Sequence, residues 1–440
     1  MRYNAGVVLD GLEMSPTLLR TFTAVSLFSS ACALAACSSD PGPSTGGGGQ
    51  PGSGGSATTA GTGTSAGTGT TAGSGGGGSG GAGVAGSGGA GTAGSAGTSG
   101  AGGGGAGTCV AAKMDADQPM LLSQTGCIDM SDPSKPAPGL IPYGVRSPLW
   151  SDGATKQRFL RLPEGGKIHV LDCATEVDAC KPPGMGGVGS DDGHWDMPMG
   201  TVLVKNFSIE GKLVETRLLM RRSMTVWKGY SYEWNDAGTD ATLLPDDATG
   251  KDKPVGTGTQ VWHYPSRSQC LECHTPYTGR SLGPTTAQLN SDYAYADGSM
   301  NQIEKFMQLG LFDAPPKNIP GLPEPMGAGT VEEKALSYLQ TNCSICHRPG
   351  AEGSQLDLRY GTAFADRGLC AVSERDVGVV PKYRVVPGNT DLSALSFRMH
   401  QLGDVRMPKI GSNVADPVGM KAVDDWILGL PTTACPPQPQ

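Results

Sequence analysis

From Asp40 to Gly107 the chain carries almost nothing but Gly, Ser, Ala, Thr and Pro. This tract limits the fold more than any other feature. It has no apolar periodicity and too few apolar side chains to build a core, so it cannot offset the entropy cost of ordering. A flexible coil of about 70 residues reaches on the order of 45 Å r.m.s.. This linker alone holds 32 of the protein's 69 glycines, close to half. Its GTAG and GSGG repeats are linker degeneracy, not a solenoid. Any folded body must follow it.

What precedes the linker is an address. In TLLRTFTAVSLFSSACALAAC, Arg20 leads an apolar run of about a dozen residues, too short to span a bilayer and typical of a secretory signal. The signal ends in Leu34, Ala35, Ala36 and Cys37. This ending resembles the lipobox of bacterial lipoproteins, where the cysteine is lipidated and becomes the mature N-terminus. Ser38 and Ser39 follow with no aspartate beside the cysteine, which in such lipoproteins favours the outer membrane, facing the periplasm or the cell surface. Met14 stands where a conventional signal would begin.

The folded part divides into a β-rich module over 108–264 and a mainly helical part behind it. KIHVLD, GTVLVKNFSI, LVETRLLMR, VWKGYSYEW and TQVWHY are strand runs separated by Gly, Asp and Pro turns. They predict an all-β sandwich or barrel. In MNQIEKFMQLGLF the apolar residues Ile303, Phe306, Met307 and Leu311 recur at helical spacing, with Gly310 as a stop. TVEEKALSYLQTN opens with Thr330 and Glu333 at capping-box distance. ADPVGMKAVDDWILGL opens with Asp416 as cap and Pro417 as first helical residue, and Met420, Val423, Trp426 and Ile427 form its apolar face. One helix thus runs directly into Cys343 and another closes the chain, which makes this part mainly helical.

Two pentapeptides carry the chemistry: Cys270-Leu-Glu-Cys273-His274 and Cys343-Ser-Ile-Cys346-His347. Their spacing lets one helical turn offer two sulfurs and an imidazole to one flat ligand. The thiols would form thioethers with the vinyls of a c-type haem and the histidine would ligate its iron. Composition alone predicts about 0.004 such patterns per chain, and two at roughly one in 10⁵. Zinc or redox-dithiol chemistry would leave the histidine after each pair unexplained. Two c-type haems are therefore expected, in a first segment over 265–325 and a second domain over 326–436, after a signal at 1–37 and a linker at 38–107.

Of the 12 cysteines, one is lost with the signal, Cys37 carries lipid and four carry haem. Six remain, and in an oxidising compartment they read as up to three disulfides. Proximity pairs Cys109 with Cys127 and Cys173 with Cys180, which leaves Cys370 with Cys435. For the second iron's sixth ligand, GDVRMPKIG supplies Met407 from a loop. Met399, on a helix, reads as core. For the first iron Met300 leads, with Met307, Met220, His263 or no ligand as alternatives. His169, His194 and His400 read as surface or packing residues, and SDDG at 190–193 as a turn.

With these residues in view, the stretch 138–430 resembles a family of exported bacterial dihaem c-type cytochromes to which no substrate is attached. The similarity rests on YGVRSPLWSDGATKQRFLRLPEG, GTVLVKNF, ETRLL, GYSYEWN, TDATLL, PSRSQCLECH, LGPTTAQLN, NCSICHRPG, VVPGN and RMP. It implies haem binding and electron transfer, and its RMP stretch supports Met407.

The formal charge of -8 excludes a nucleic-acid surface. The partners expected are a redox protein or other electron donor and acceptor, and a membrane held through the lipid. Single-electron transfer is the leading expectation. A dihaem oxidoreductase or peroxidase with one reactive haem is the alternative. A third reading makes the β module a docking domain for a partner or carbohydrate.

Overall fold

The computed structural model describes Cys109, residues 117–181 and residues 189–438. The signal, Cys37 and the linker lie outside these residues. In chain order, β1 (Ile141–Pro142) and β2 (Thr155–Arg161) begin an antiparallel sheet. A ribbon of β3 (His169–Val170) and β4 (Trp195–Asp196) follows, and β5 (Val202–Ile209), β6 (Lys212–Arg221), β7 (Trp227–Trp234) and β8 (Ala241–Leu243) complete the sheet. Its order is β1-β2-β5-β6-β7-β8. Two more ribbons pair β9 (Lys251–Pro254) with β10 (Val261–Tyr264) and β11 (Asp292–Tyr295) with β12 (Gly298–Asn301). Each strand run picked out in the sequence coincides with one of these strands to within a few residues.

Alternation along the strands sorts side chains onto two faces. Val202, Val204, Leu218, Met220, Tyr230 and Tyr232 face one way and join Leu122, Ile128 and Leu140 in a first core. Leu160, Leu203, Leu219 and Trp227 belong to a second core with Trp195, Ile303, Phe306 and Phe312. There Trp195 meets Phe306 at 5.5 Å and Phe312 at 5.1 Å between ring centroids. The sheet is open, since β1 and β8 are its two edges, and the ribbons are separate from it. It is thus neither a closed barrel nor half of a sandwich of comparable sheets. Its second face is covered by elements from beyond residue 264, including Leu289, Ile303 and Phe306, so the module and the first ligand segment share a core.

The helices are α1 (Val177–Cys180), α2 (Arg267–Cys273), α3 (Thr286–Leu289), α4 (Gln302–Gln308), α5 (Val331–Asn342), α6 (Ala394–Met399) and α7 (Pro417–Gly429). In α4, Ile303 and Phe306 are buried, Met307 is 43% exposed, and Leu311 lies beyond the helix end. Gly310, at φ 63°, stops the helix as the spacing predicted, Leu311 still packs against the second core, and of the four expected face residues only Met307 turns outward. The capping box of α5 forms as expected: Thr330 Oγ1 accepts from Glu333 N at 3.1 Å, and Glu333 Oε2 from Thr330 N at 2.8 Å. Asp416 caps α7 by accepting from Val418 N at 3.0 Å. α5 and α7 bury Ala335, Tyr338, Leu339, Val423, Trp426 and Ile427 against one another, with Met399 of α6. Gly419 permits this contact, since a Cβ there would lie 1.9 Å from the Tyr338 ring.

The three expected disulfides are present: Cys109–Cys127, Cys173–Cys180 and Cys370–Cys435. They suit an oxidising, extracytoplasmic compartment. No helix among the described residues is long and apolar enough to cross a membrane. The module is stitched to α5 through Trp150 N to Asn342 Oδ1 at 2.7 Å and Ser147 Oγ to Ser337 O at 3.0 Å.

Candidate functional site

Each pentapeptide sits at the end of a helix whose start is fixed by a cap. α2 opens with Ser266, whose Oγ accepts from Gln269 N at 3.1 Å while Gln269 Oε1 accepts from Ser266 N at 2.9 Å. It ends at Cys273, and His274 is its C-terminal cap. α5 ends at Asn342, and its C-terminal cap is Cys343, where the second motif begins. In both motifs the histidine N–H donates to the carbonyl of the first cysteine, His274 to Cys270 at 3.1 Å and His347 to Cys343 at 2.9 Å. The helical turn thus brings the two sulfurs and the ring onto one surface.

The imidazoles are oriented alike. His274 Nδ1 bonds the Arg280 carbonyl, and His347 Nδ1 bonds the Gly353 carbonyl at 3.1 Å. A carbonyl only accepts, so Nδ1 carries the proton and Nε2 keeps a free lone pair, the form that ligates a metal. Burial holds both rings neutral. It lowers the His274 pKa to about 4, with Lys205 and Arg217 adding repulsion, and it lowers that of His347.

The four motif thiols are free, while the six other described cysteines are paired. Burial pushes Cys270 up to about 11 and Cys273 and Cys343 to about 12, and Cys346 shifts the same way. A redox dithiol needs the opposite shift. Among the described residues no three His, Cys, Asp or Glu side chains converge to hold a bare metal ion.

All six motif residues line a single cavity of about 1570 Å³. Small-molecule sites usually fall between about 300 and 1,000 Å³, so this one has room for a very large ligand or for two. One wall is the sheet face carrying Leu203, Lys205, Arg217, Leu219 and Gly229. Gly229 lets α2 approach, since a Cβ there would lie 2.8 Å from Cys270 Sγ. Burial first, and then Cys346, opposes ionisation of Cys273, so the two motifs are electrostatic neighbours. Arg348, directly after His347 and 3% exposed, joins them: its Nη1 donates to Tyr277 O at 2.7 Å and its Nη2 pairs with Asp191 at 3.1 Å.

Met407 lines the cavity and donates its N–H to Arg398 O at 3.0 Å. Its loop is pinned to the module further on, where Asp152 Oδ1 accepts from Asn413 N at 2.7 Å and Val414 N at 2.9 Å. Met300 lies on β12 opposite Tyr293, outside the cavity wall. Met220 is on the other face of the sheet, in the first core. His263 does reach the cavity, but its nitrogens bond Asp252 at 2.7 Å and Gln269 at 3.0 Å. His169 bonds Asp313 and Glu176, and His400 bonds Ser396 and lies 3.3 Å from Asp424. Sequence reasoning passed over Arg158, Lys205, Arg217 and Arg348. The signal for the first three is a cation at an inward position on each of three adjacent strands, visible only once the register is known.

Comparison with known proteins finds no matching family model, no matching curated protein and no matching solved structure.

Proposed function

We propose that this chain is a dihaem c-type cytochrome, exported and tethered through Cys37 to the outer membrane, that carries single electrons to or from a redox partner. The observation that carries the reading is the likeness of the two Cys-x-x-Cys-His sites. Both present neutral imidazoles fixed through Nδ1 and free, half-buried thiols, and they share one cavity large enough for two macrocycles. Cys270 and Cys273 would hold the first haem with His274 as iron ligand; Cys343 and Cys346 would hold the second with His347. When bound, haem supplies a one-electron iron couple. The chain's part is to fix each ring, exclude water with the sheet face and the α5–α7 core, and offer Met407 as sixth ligand to the second iron. The second domain is then cytochrome c-like. The neighbouring attachment points suit electron exchange between the haems. The resemblance to exported dihaem cytochromes points the same way.

A second reading has one observation behind it. Among the described residues the methionines of the cavity wall, Met399 and Met407, both belong to the second segment, so no described thioether is offered to the first iron, which is compatible with an open sixth position as in a dihaem oxidoreductase. Mature protein made in a host that assembles c-type cytochromes is expected to hold two haems per chain that resist acidified acetone. Colourless protein, or pigment released by that extraction, refutes the proposal. Two low-spin ferric haems indifferent to cyanide and peroxide refute the second reading.

A further inference from the structure

The sheet face in the cavity carries a row of like charges. Arg158 of β2 lies directly opposite Lys205 of β5, which lies directly opposite Arg217 of β6. All three line the cavity. Like charges facing each other across strands destabilise a sheet, and burial raises that cost when no counter-charge is supplied. Arg217 has its carboxylate: Glu215, fully buried, accepts from its Nε at 2.7 Å and its Nη2 at 2.8 Å. Among the described residues Arg158 and Lys205 make no side-chain hydrogen bond or ion pair. Lys205 Nζ rests 4.9 Å from the Phe207 ring centroid, and the Arg217 guanidinium 4.5 Å from the same ring. Three basic side chains against one carboxylate leave Arg158 and Lys205 without a counter-charge at the cavity, and burial first, then Arg158, Lys156 and Arg217, pushes the Lys205 ammonium well below its usual pKa, a cost that an incoming anion would relieve.

The adjacent row is apolar. Leu203, Leu219 and Gly229 are in register, and Cys270 is packed on Gly229. The cation row therefore borders the surface on which the first motif lies, and Lys205 and Arg217 act electrostatically on His274. Lys156, two residues before Arg158 on the same face, bonds Ala154 O at 3.1 Å and shares its surroundings with Asp416 and Asp152.

We propose that Arg158 and Lys205 bind the two propionate carboxylates of the haem attached at Cys270 and Cys273, with Arg217 fixed beside them by Glu215. The inference rests on the haem reading and deepens it. It gives the β module a chemical role as the wall that neutralises the first haem's acid groups. Fixed cations there favour the reduced iron and raise its potential.

The test uses full-length holoprotein in two double variants. Arg158→Leu with Lys205→Met removes the charge, and Arg158→Lys with Lys205→Arg keeps it. Spectroelectrochemical titration resolves two waves, and the wave moved by Met407→Ala is assigned to the second haem. Charge removal is expected to shift the other wave negative by at least tenfold in the equilibrium constant, about 59 mV for one electron. The charge-keeping variant is expected to leave it within threefold. Infrared spectra with ¹³C-carboxylate-labelled haem are expected to show the propionate bands shifting only on charge removal. An unmoved wave overturns the proposal, and so does a moved wave with unchanged propionate bands. If inorganic phosphate shifts the wild-type wave saturably and charge removal abolishes that response, the row holds an exchangeable anion and the proposal is again overturned. Should the double exchange lower haem loading, Lys205→Met alone is titrated, with a threefold shift expected and none overturning. Wild-type protein without covalent haem sinks the underlying reading, and this one with it.

Discussion

A side chain at Gly229 tests whether Cys270 is held against the sheet. Glycine inside a strand ordinarily weakens it, and alanine in its place is worth roughly 0.5–1 kcal/mol. The structure reverses that sign here. A Cβ at 229 would lie 2.8 Å from Cys270 Sγ and 2.9 Å from Cys270 Cβ, where ordinary contact begins at 3.4 Å. The two elements must part by about 0.6 Å, and overpacking on this scale costs about 1–3 kcal/mol. Neither side yields easily. Gly229 is paired with Leu219 in a strand flanked by β6 and β8, and Cys270 N is bonded to Ser266 O at 3.1 Å in the first turn of α2. Gly229→Ala is therefore expected to lower the unfolding midpoint while keeping both haems. Gly229→Val, with two further carbons aimed at the sulfur, is expected to cut covalent haem from two per chain to one. Pyridine haemochrome assay against protein mass measures the ratio, and mass spectrometry of the Cys270–Cys273 peptide identifies the lost attachment. If Gly229→Ala melts at or above wild type and Gly229→Val keeps two haems, Cys270 does not lie on this strand and the description of the wall is wrong.

Met407→Ala is expected to lower the potential of one haem and let it bind cyanide, leaving the other unchanged; optical titration with cyanide reads this directly. Arg348→Ala removes a buried guanidinium bonded to Ser344 O, Tyr277 O and Asp191, at an expected cost of about 2–4 kcal/mol in denaturant unfolding because Arg359 still pairs with Asp191. The pH dependence has a definite sign. Burial lowers His274 from 6.5 to about 4, so below pH 6.5 the unfolded chain takes up the proton that the folded chain refuses. Its contribution is fully present above pH 6.5 and is lost as pH falls toward 4, and His347 adds in the same sense. Stability of the haem-free chain that rises on acidification through this range would refute the buried neutral rings.

The strands were legible because β5, β6 and β7 are buried on both faces and spell it in Val, Leu, Phe, Tyr and Trp, which leaves few alternative elements. Thr330 with Glu333, and Asp416 with Pro417, marked helix starts because capping is local chemistry. Cys109–Cys127 and Cys173–Cys180 followed from short separations, and Cys370–Cys435 from what was left. What covers a face is not local. Nothing in the strand pattern said that Ile303 and Phe306 of α4, in place of a second sheet, would close over Leu203 and Leu219. The cation row was hidden for the same reason. Arg158 and Lys205 stand on strands separated by the β3–β4 excursion, and only the register sets them opposite one another. Met407, which the structure does place on the cavity wall, stood out in the sequence by its loop. Met300 had only its separation from His274, which does not say where a hairpin such as β11–β12 points.

Boundaries drawn at motifs also differ from boundaries drawn at cores. A cut near residue 264 separates the β-rich sequence from the first pentapeptide. Yet Leu160, Leu203 and Trp227 before the cut share a core with Leu289, Ile303 and Phe306 after it. If the module were a docking domain appended to a redox arm, removal of 108–262 would abolish partner binding and leave the haem spectra intact. The structure predicts a different outcome. That deletion strips away Gly229, against which Cys270 packs, the Lys205 and Arg217 wall, and Asp152, which holds the loop after Met407. The truncated chain keeps the α5–α7 core around Tyr338 and Trp426, so the second attachment is expected to survive with a weakened Met407 bond while the first is lost. Two intact haem spectra from the truncated chain would show that the sheet is a separate module after all.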